Sequence, residues 1–365
     1  MQDTIFVPSF GNRPRNLVGR DEVLDVFKSS FSSVPGSKDR AILILGPRGA
    51  GKTVLLLELA EMAGKASIIT ASPTIVSRDL NDRILEKLLV ASDDVIGKSK
   101  KKLSGGSVNV LGFGAGIQLQ DGSEKRSSFA QSLSDICEKV NSKGYPVLIL
   151  VDEAQANNEE LKSLIVAYQE MVGAGRDVFI VLAGLPQTIS SVLNDHVLTF
   201  LNRATKVDLG PLKTGDIEAY YMSAFGSIGI ELEVDDAHTM AVETAGSPYL
   251  MQLIGHYVTI LMDNSGAVTD EKISRAITLA KEDYKNDICK TTLATLSDRD
   301  IDFLNAMSED EEESKISDII DRLGCTSAFA QTYKRRLIQS GVITQPHRGK
   351  LRMTVPYLRD YVREQ

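Results

Sequence analysis

Between an apolar run, Ala41 to Leu45, and a helical pattern, Val54 to Ala63, the chain reads Gly46-Pro47-Arg48-Gly49-Ala50-Gly51-Lys52-Thr53. This GxxxxGK[ST] spacing, set between a strand and a helix, constrains the fold more than any other feature of the sequence. Glycines let successive backbone N–H groups curl around phosphate oxygens, and the helix that follows turns its positive end toward them. Lys52 is placed to neutralise β and γ phosphates, and Thr53 offers a hydroxyl to magnesium. All eight residues are therefore expected to form a nucleotide cradle in an α/β fold with a parallel sheet.

From Arg40 to Gly210 short apolar runs alternate with helical patterns, as in a parallel sheet covered by helices. Strands are expected at Ala41 to Leu45, Ser67 to Thr70, Val147 to Val151, Val178 to Ala183 and Thr205 to Leu209. The third run ends in Asp152 and Glu153, which places two carboxylates at the sheet edge where open α/β sheets bind ligands. Asp152 is expected to hold magnesium, directly or through water, and Glu153 to orient or deprotonate an attacking water. The alternative for Glu153 is an acidic cap on a helix beginning near Asn157.

At 365 residues the chain is long enough for two or three domains. Its 42% apolar and 25% charged residues suit a packed protein rather than a disordered or fibrous one. A net charge of -8 excludes a protein that coats nucleic acid with its whole surface, and leaves only local basic patches. Cys137, Cys289 and Cys325 form no CxxC pair, and His196, His238, His256 and His347 lack ligand spacing, so reduced thiols and no protein-held metal cluster are expected. Tyr249 to Met262, the most apolar helical stretch, is interrupted by Gln252 and His256, and Met1 to Gly11 has no basic start followed by an apolar run. The expectation is a cytoplasmic protein with no membrane span.

Three regions follow from the patterning: a core over 1–211, a helical region over 212–288 in which Ile217, Tyr220, Tyr221 and Phe225 recur at helical spacing, and a C-terminal region over 289–365. The core is interrupted at about 93–128, where Lys98, Lys100, Lys101 and Lys102 precede a Gly-rich alternation read as an inserted hairpin. In the C-terminal region helices at Asp298 to Met307, Lys315 to Leu323 and Ser327 to Gln339 precede strands at Val342 to Thr344 and Lys350 to Val355, the order of a winged helix. Charge is segregated there: ten acidic and two basic residues in Thr291 to Asp321, two acidic and nine basic in Arg322 to Gln365. Gln331, Lys334, Arg335 and Arg336 on the third helix, with Arg348, Lys350 and Arg352 around the wing, are candidate contacts to double-stranded DNA. The alternative is a basic patch that docks on Glu309 to Glu313 or on a partner protein.

These motifs bring a resemblance to AAA+ ATPases, most closely to the initiator-type branch of origin-recognition and replication-initiator ATPases. It rests on the box Leu17-Val18-Gly19-Arg20-Asp21-Glu22, the two motifs at Gly46 to Thr53 and Val147 to Glu153, a helical lid and a C-terminal winged helix in family order. The resemblance implies ATP and Mg2+ as ligands, base contacts from Leu17, Val18 and Gly19, and self-association on ATP binding. It also implies that Arg203, just before the last strand, is a finger for a neighbouring subunit's γ phosphate; the residues alone leave it open as a solvated helix-terminal arginine. Two departures point to slow, regulatory hydrolysis. Gly184-Leu185-Pro186 lacks the polar sensor of relatives, with Gln187 as no more than a candidate substitute, and the lid helix opened by Ala245-Gly246-Ser247-Pro248-Tyr249 carries no second-sensor arginine. The resemblance therefore implies a switch that binds DNA through its winged helix and recruits or loads other DNA-acting factors. Its rival is a signalling or scaffold ATPase of the STAND type whose winged helix binds protein.

Overall fold

Continuous apolar runs become strands buried on both faces: β1 (Ala41–Leu45), β3 (Val147–Asp152) and β4 (Val178–Gly184) expose no residue. With β2 (Ile69–Ile75) and β5 (Thr205–Asp208) they form a parallel sheet in the order β2-β3-β4-β1-β5. The structure, a computed structural model, describes residues 5–8, 17–96, 128–155, 158–193, 198–262 and 268–365. Helices α1 (Asp21–Phe31), α2 (Lys52–Lys65), α3 (Leu80–Ile96), α4 (Phe129–Asn141), α5 (Glu159–Gly173) and α6 (Pro186–Leu193) pack around it. Alternate residues of β1 feed separate cores, Ala41, Leu43 and Leu45 on one face and Ile42 and Ile44 on the other.

Two expectations shift. Strand β2 starts at Ile69, because Ser67 takes a left-handed φ of +59°, and it continues past Pro73 to Ile75. Lys87 of α3 caps that stretch, donating to the carbonyls of Ser72 (3.1 Å) and Pro73 (2.8 Å). The inserted hairpin does not begin at Asp93: Asp93 to Ile96 prolong α3, whose Ile84, Leu88 and Ser92 face inward at helical spacing. The lysines from Lys98 to Lys102 and the rest of that expected hairpin lie outside the described residues. Ser128 then caps α4, accepting from the Gln131 N–H.

Helices α7 (Thr214–Gly226), α8 (Val234–Glu243), α9 (Pro248–Leu261) and α10 (Asp270–Tyr284) form a bundle around Ile217, Tyr221, Phe225, Met240 and Ile254. Residues Ile5 to Pro8 thread into it. The fully buried Phe6 ring sits 5.2 Å from Phe225 and 5.8 Å from Tyr220, centroid to centroid. Gly255 makes room, since a Cβ there would overlap the Phe6 ring. Gln252, the polar interruption of the apolar stretch, accepts from the Val7 N–H at 3.0 Å and donates to the Tyr220 hydroxyl at 3.2 Å.

A π-helical turn, Lys285–Cys289, and the short α11 (Lys290–Leu293) lead from the bundle into α12 (Asp298–Ser308). There follow β6 (Ser314–Lys315), α13 (Ile316–Leu323), α14 (Ser327–Gln339), β7 (Ile343–His347), β8 (Lys350–Met353) and α15 (Leu358–Arg363). The three strands pair antiparallel in the order β6-β8-β7. The two-residue β6 was not expected, and β8 stops at Met353, short of Val355. One apolar cluster runs through both the bundle and this C-terminal module. No helix of the described residues is long and apolar enough to cross a membrane.

Candidate nucleotide site

Gly49 (φ +75°) and Gly51 (φ +86°) curl the loop between β1 and α2 through conformations that other residues adopt only with strain. Lys52 opens α2, and its ammonium folds back over the loop to donate to the carbonyls of Gly46 (2.8 Å) and Pro47 (2.7 Å). Burial pushes the Lys52 ammonium down to about 8, while the carboxylates of Asp152 and Glu153 pull it up. A half-buried cation whose hydrogen bonds go to backbone carbonyls suits a polyphosphate.

At the end of β3 the Thr53 hydroxyl donates to Asp152 Oδ2 at 2.6 Å, joining the two ends of the motif pair. Asp152 is buried, and its Oδ1 accepts from the Glu153 N–H at 2.9 Å. A hydroxyl and a carboxylate side by side are hard oxygen donors, which fits Mg2+, an ion that takes one or two protein oxygens and completes its shell with phosphate and water. Glu153 is exposed and holds a left-handed φ of +54°, a strained state for a residue with a Cβ.

The box ahead of α1 bridges core and bundle. Leu17 packs on the core cluster around α2, and Val18 on the cluster of the bundle. Gly19 holds φ +60°, a conformation strained for any residue with a Cβ, and a Cβ there would lie 2.8 Å from Asp216 Oδ2 on α7. Arg20 is buried and donates to the carbonyls of Gly210 (2.8 Å) and Ala50 (3.4 Å), tying the phosphate loop to the seam between sheet and bundle. Sequence reasoning passed over this role, and the only signal was the place of Arg20 in the box. Ser247 caps α9 by accepting from the Leu250 N–H, with Pro248 in the first turn, and Pro248 Cγ lies 3.9 Å from where a Gly51 Cβ would be. The N-termini of α2 and α9 thus meet at the loop, which concentrates positive potential there.

A cavity of about 140 Å³ opens between these parts. It is bordered by Pro47 to Ala50, by Gly210 and Pro211, by the start of α9, and by three residues without a motif: Tyr284, Thr354 and Pro356. Arg203 ends a 3-10 turn (Thr199–Arg203) away from this cavity, exposed and with no hydrogen bond or ion pair among the described residues. Gln187 lies in α6, but its side chain is outside the described residues.

The residues expected at DNA divide into two groups. Gln331, Arg335 and Arg348 are exposed and Lys334 is half-buried, each without a side-chain partner among the described residues. Arg336 instead pairs with the buried Asp300 at 2.8 Å, and Lys350 (3.2 Å) and Arg352 (2.7 Å) share Glu313. Arg322 binds Glu309 and Asp310 in the same acidic run.

Residues 16–206 match the AAA ATPase domain family, and residues 286–362 match a domain of unknown function (DUF8462). No curated protein matches the sequence. Among solved structures, the Walker-type ATPase PABY2304 of Pyrococcus abyssi is similar over 99% of this chain and 100% of its own, with a TM-score of 0.70 at 16% identity. The Aeropyrum pernix ORC2 protein, solved in ADPNP-ADP complexes, is similar over 98% of this chain and 96% of its own (TM-score 0.64, 13% identity). Cdc6p of Pyrobaculum aerophilum gives 98% and 96% (TM-score 0.50, 14% identity). At such identities the likeness is one of fold, and it extends along the whole chain. The profile match takes in more than half of the 365 residues, and with the loop, carboxylate and sheet geometry above it makes this chain a member of the AAA ATPase domain family, an ATPase with an initiator-like fold.

Proposed function

We propose that the chain is an ATP-operated switch of the cytoplasm with slow, regulatory turnover. The core (1–211) binds Mg-ATP, the lid (212–288) closes on it, and the state passes to a C-terminal winged helix (289–365) that holds duplex DNA and recruits or loads other DNA-acting factors. Lys52 neutralises the phosphates, Thr53 and Asp152 hold magnesium, and Glu153 orients or deprotonates the water. Leu17, Val18 and Gly19 border the base, and Arg203 reaches the γ phosphate of a neighbouring subunit when ATP brings copies together. The 2.6 Å contact between Thr53 and Asp152 carries the nucleotide part of this reading, because it brings the two separated motifs to one point beside Lys52. Calorimetry on Lys52→Ala tests it: nucleotide affinity is expected to vanish in the folded variant, and parent-like affinity would remove the assignment.

The DNA part is supported by Lys334, Arg335 and Arg348 on α14 and the β7–β8 turn, cations with no side-chain partner among the described residues. Three phosphate contacts give a slope of log K against log salt of about −3. A second reading, a signalling ATPase whose winged helix binds protein, is favoured by the internal pairing of Lys350 and Arg352 with Glu313 and of Arg336 with Asp300. Parent protein that binds no duplex at low salt with ATP present decides for the second reading.

A further inference from the structure

We infer that the segment Thr354 to Tyr357 is a built-in competitor of the nucleotide, held in place by a latch between Tyr357, Glu243 and Lys281. The inference rests on the nucleotide reading of the site.

Thr354 and Pro356 wall the same cavity as the phosphate loop, although they follow β8 at the far end of the chain. That cavity holds about 140 Å³, less than the roughly 300 Å³ at which small-molecule sites begin, and Thr354 and Pro356 take up one side of it, so a nucleotide on the phosphate loop gains room when they withdraw. Backbone bonds between elements fix the surroundings of the other walls. The Gly46 N–H donates to Gly184 O (3.3 Å), Leu209 N–H to Leu45 O (2.6 Å), and Leu212 N–H to Gly246 O (2.9 Å).

Among the described residues Thr354 is tied only within its own module, its N–H donating to Val342 O (2.9 Å) and its hydroxyl to Gly341 O (2.6 Å), and the segment is held against the bundle by side chains. The Tyr357 hydroxyl donates to Glu243, to its carbonyl at 2.7 Å and its carboxylate at 3.0 Å. Lys281 pairs with the same carboxylate and lies 4.7 Å over the Tyr357 ring. Tyr357 itself is left-handed (φ +57°), a conformation that persists only where neighbours impose it. Strain at Tyr357 favours release, and the latch opposes it.

A place for the segment to pivot lies beside it. The Cys289 thiol donates to Pro356 O at 3.5 Å from the π-helical turn Lys285–Cys289, and Tyr284, one residue before that turn, is itself a cavity wall. Single π turns recur at functional breaks in helices. The module that follows also touches the core, with α14 beside α6 and Gly341 against the Leu185 side chain. Withdrawal of Thr354 to Tyr357 by nucleotide therefore loosens α14 from the core, and by linkage whatever engages the freed module tightens nucleotide binding.

The latch lowers the fraction of molecules open to nucleotide, so weakening it must strengthen binding. Tyr357→Phe keeps the ring beneath Lys281 and deletes the hydroxyl, and Glu243→Gln removes the charge at the other end. Titration of the full chain with a fluorescent ADP is expected to give an affinity about tenfold higher for each variant, the size of one hydrogen bond to a charged group. The gain should appear in the association rate, and the double variant should gain less than the product of the two. A merely structural role would leave affinity unchanged or lower it. Parent-like or weaker binding by both folded variants overturns the competitor. If neither parent nor variants bind the probe, the nucleotide reading falls, and the inference with it.

Discussion

Glu153, the proposed base, sits in a strained conformation just past the end of β3, with its N–H held by the Asp152 carboxylate. Exchanging it for Gln preserves shape and removes the proton acceptor. Glu153→Gln is therefore expected to keep ATP affinity and to slow phosphate release about a hundredfold or more, and a parent-like rate would make Glu153 structural. Gly246 gives a second test at this scale. Its φ is +72°, and a Cβ would lie 2.6 Å from Pro211 Cβ and 2.9 Å from Leu212 O, so Gly246→Ala should cost about 1–3 kcal/mol of stability, read in a thermal melt. The cradle and the two carboxylates were legible in the sequence because local spacing alone defines them. Tyr284, Thr354 and Pro356 were not, because their shared position beside Pro47 to Ala50 is made by tertiary packing and leaves no trace in spacing. Arg20 was visible only as a letter of a box, and its grip on two carbonyls exists only in the fold.

Helix α14 divides its arginines between two tasks. Arg336 pairs with the buried Asp300, whose second carboxylate oxygen has no partner among the described residues, whereas Arg335 is exposed and, among the same residues, has no side-chain partner. Arg336→Ala should destabilise the module by about 1–3 kcal/mol, less than for a wholly buried pair because Arg336 is half-exposed. Arg335→Ala should leave the melt within about 0.5 kcal/mol while weakening duplex binding. Denaturant melts of the two variants distinguish the tasks, and equal melts would remove the division. The acidic run responds to pH for the same reason. Arg322 holds the Asp310 carboxyl below its usual range, and Lys350 and then Arg352 do so for Glu313. Carboxyls depressed on folding stabilise fully above their ordinary values and lose that contribution as pH falls through the depressed ones, so the module should begin to loosen below about pH 4. Helices and long buried strands were readable from their periods. The two-residue β6 was not, since it exists only because β8 offers it a partner, and the extension of α3 over Asp93 to Ile96 was masked by acidic residues on its outer face.

At the scale of the whole molecule, Arg203 tests whether copies act together. Arg203→Ala and Asp152→Asn should each lose ATPase activity, and their mixture should recover part of it if the arginine of one copy serves the site of another. Arg203→Ala protein with parent activity would remove that idea. The order of sheet, bundle and C-terminal module was legible because each changes the hydrophobic period. Which apolar face covers which was not, and the single cluster joining bundle and module came only with the fold. Ile5 to Pro8 gives that cluster a temporal side. The Val7 N–H meets Gln252 across 245 residues, so during synthesis this segment leaves the ribosome long before α9 exists to receive it. Phe6 cannot reach its mature packing until the whole sheet and the helices from α7 to α9 have been made, and so large a sequence separation slows the final docking. The bundle can reach its mature packing only when an early segment of the chain returns to it, which makes its assembly a late checkpoint on the integrity of everything translated between.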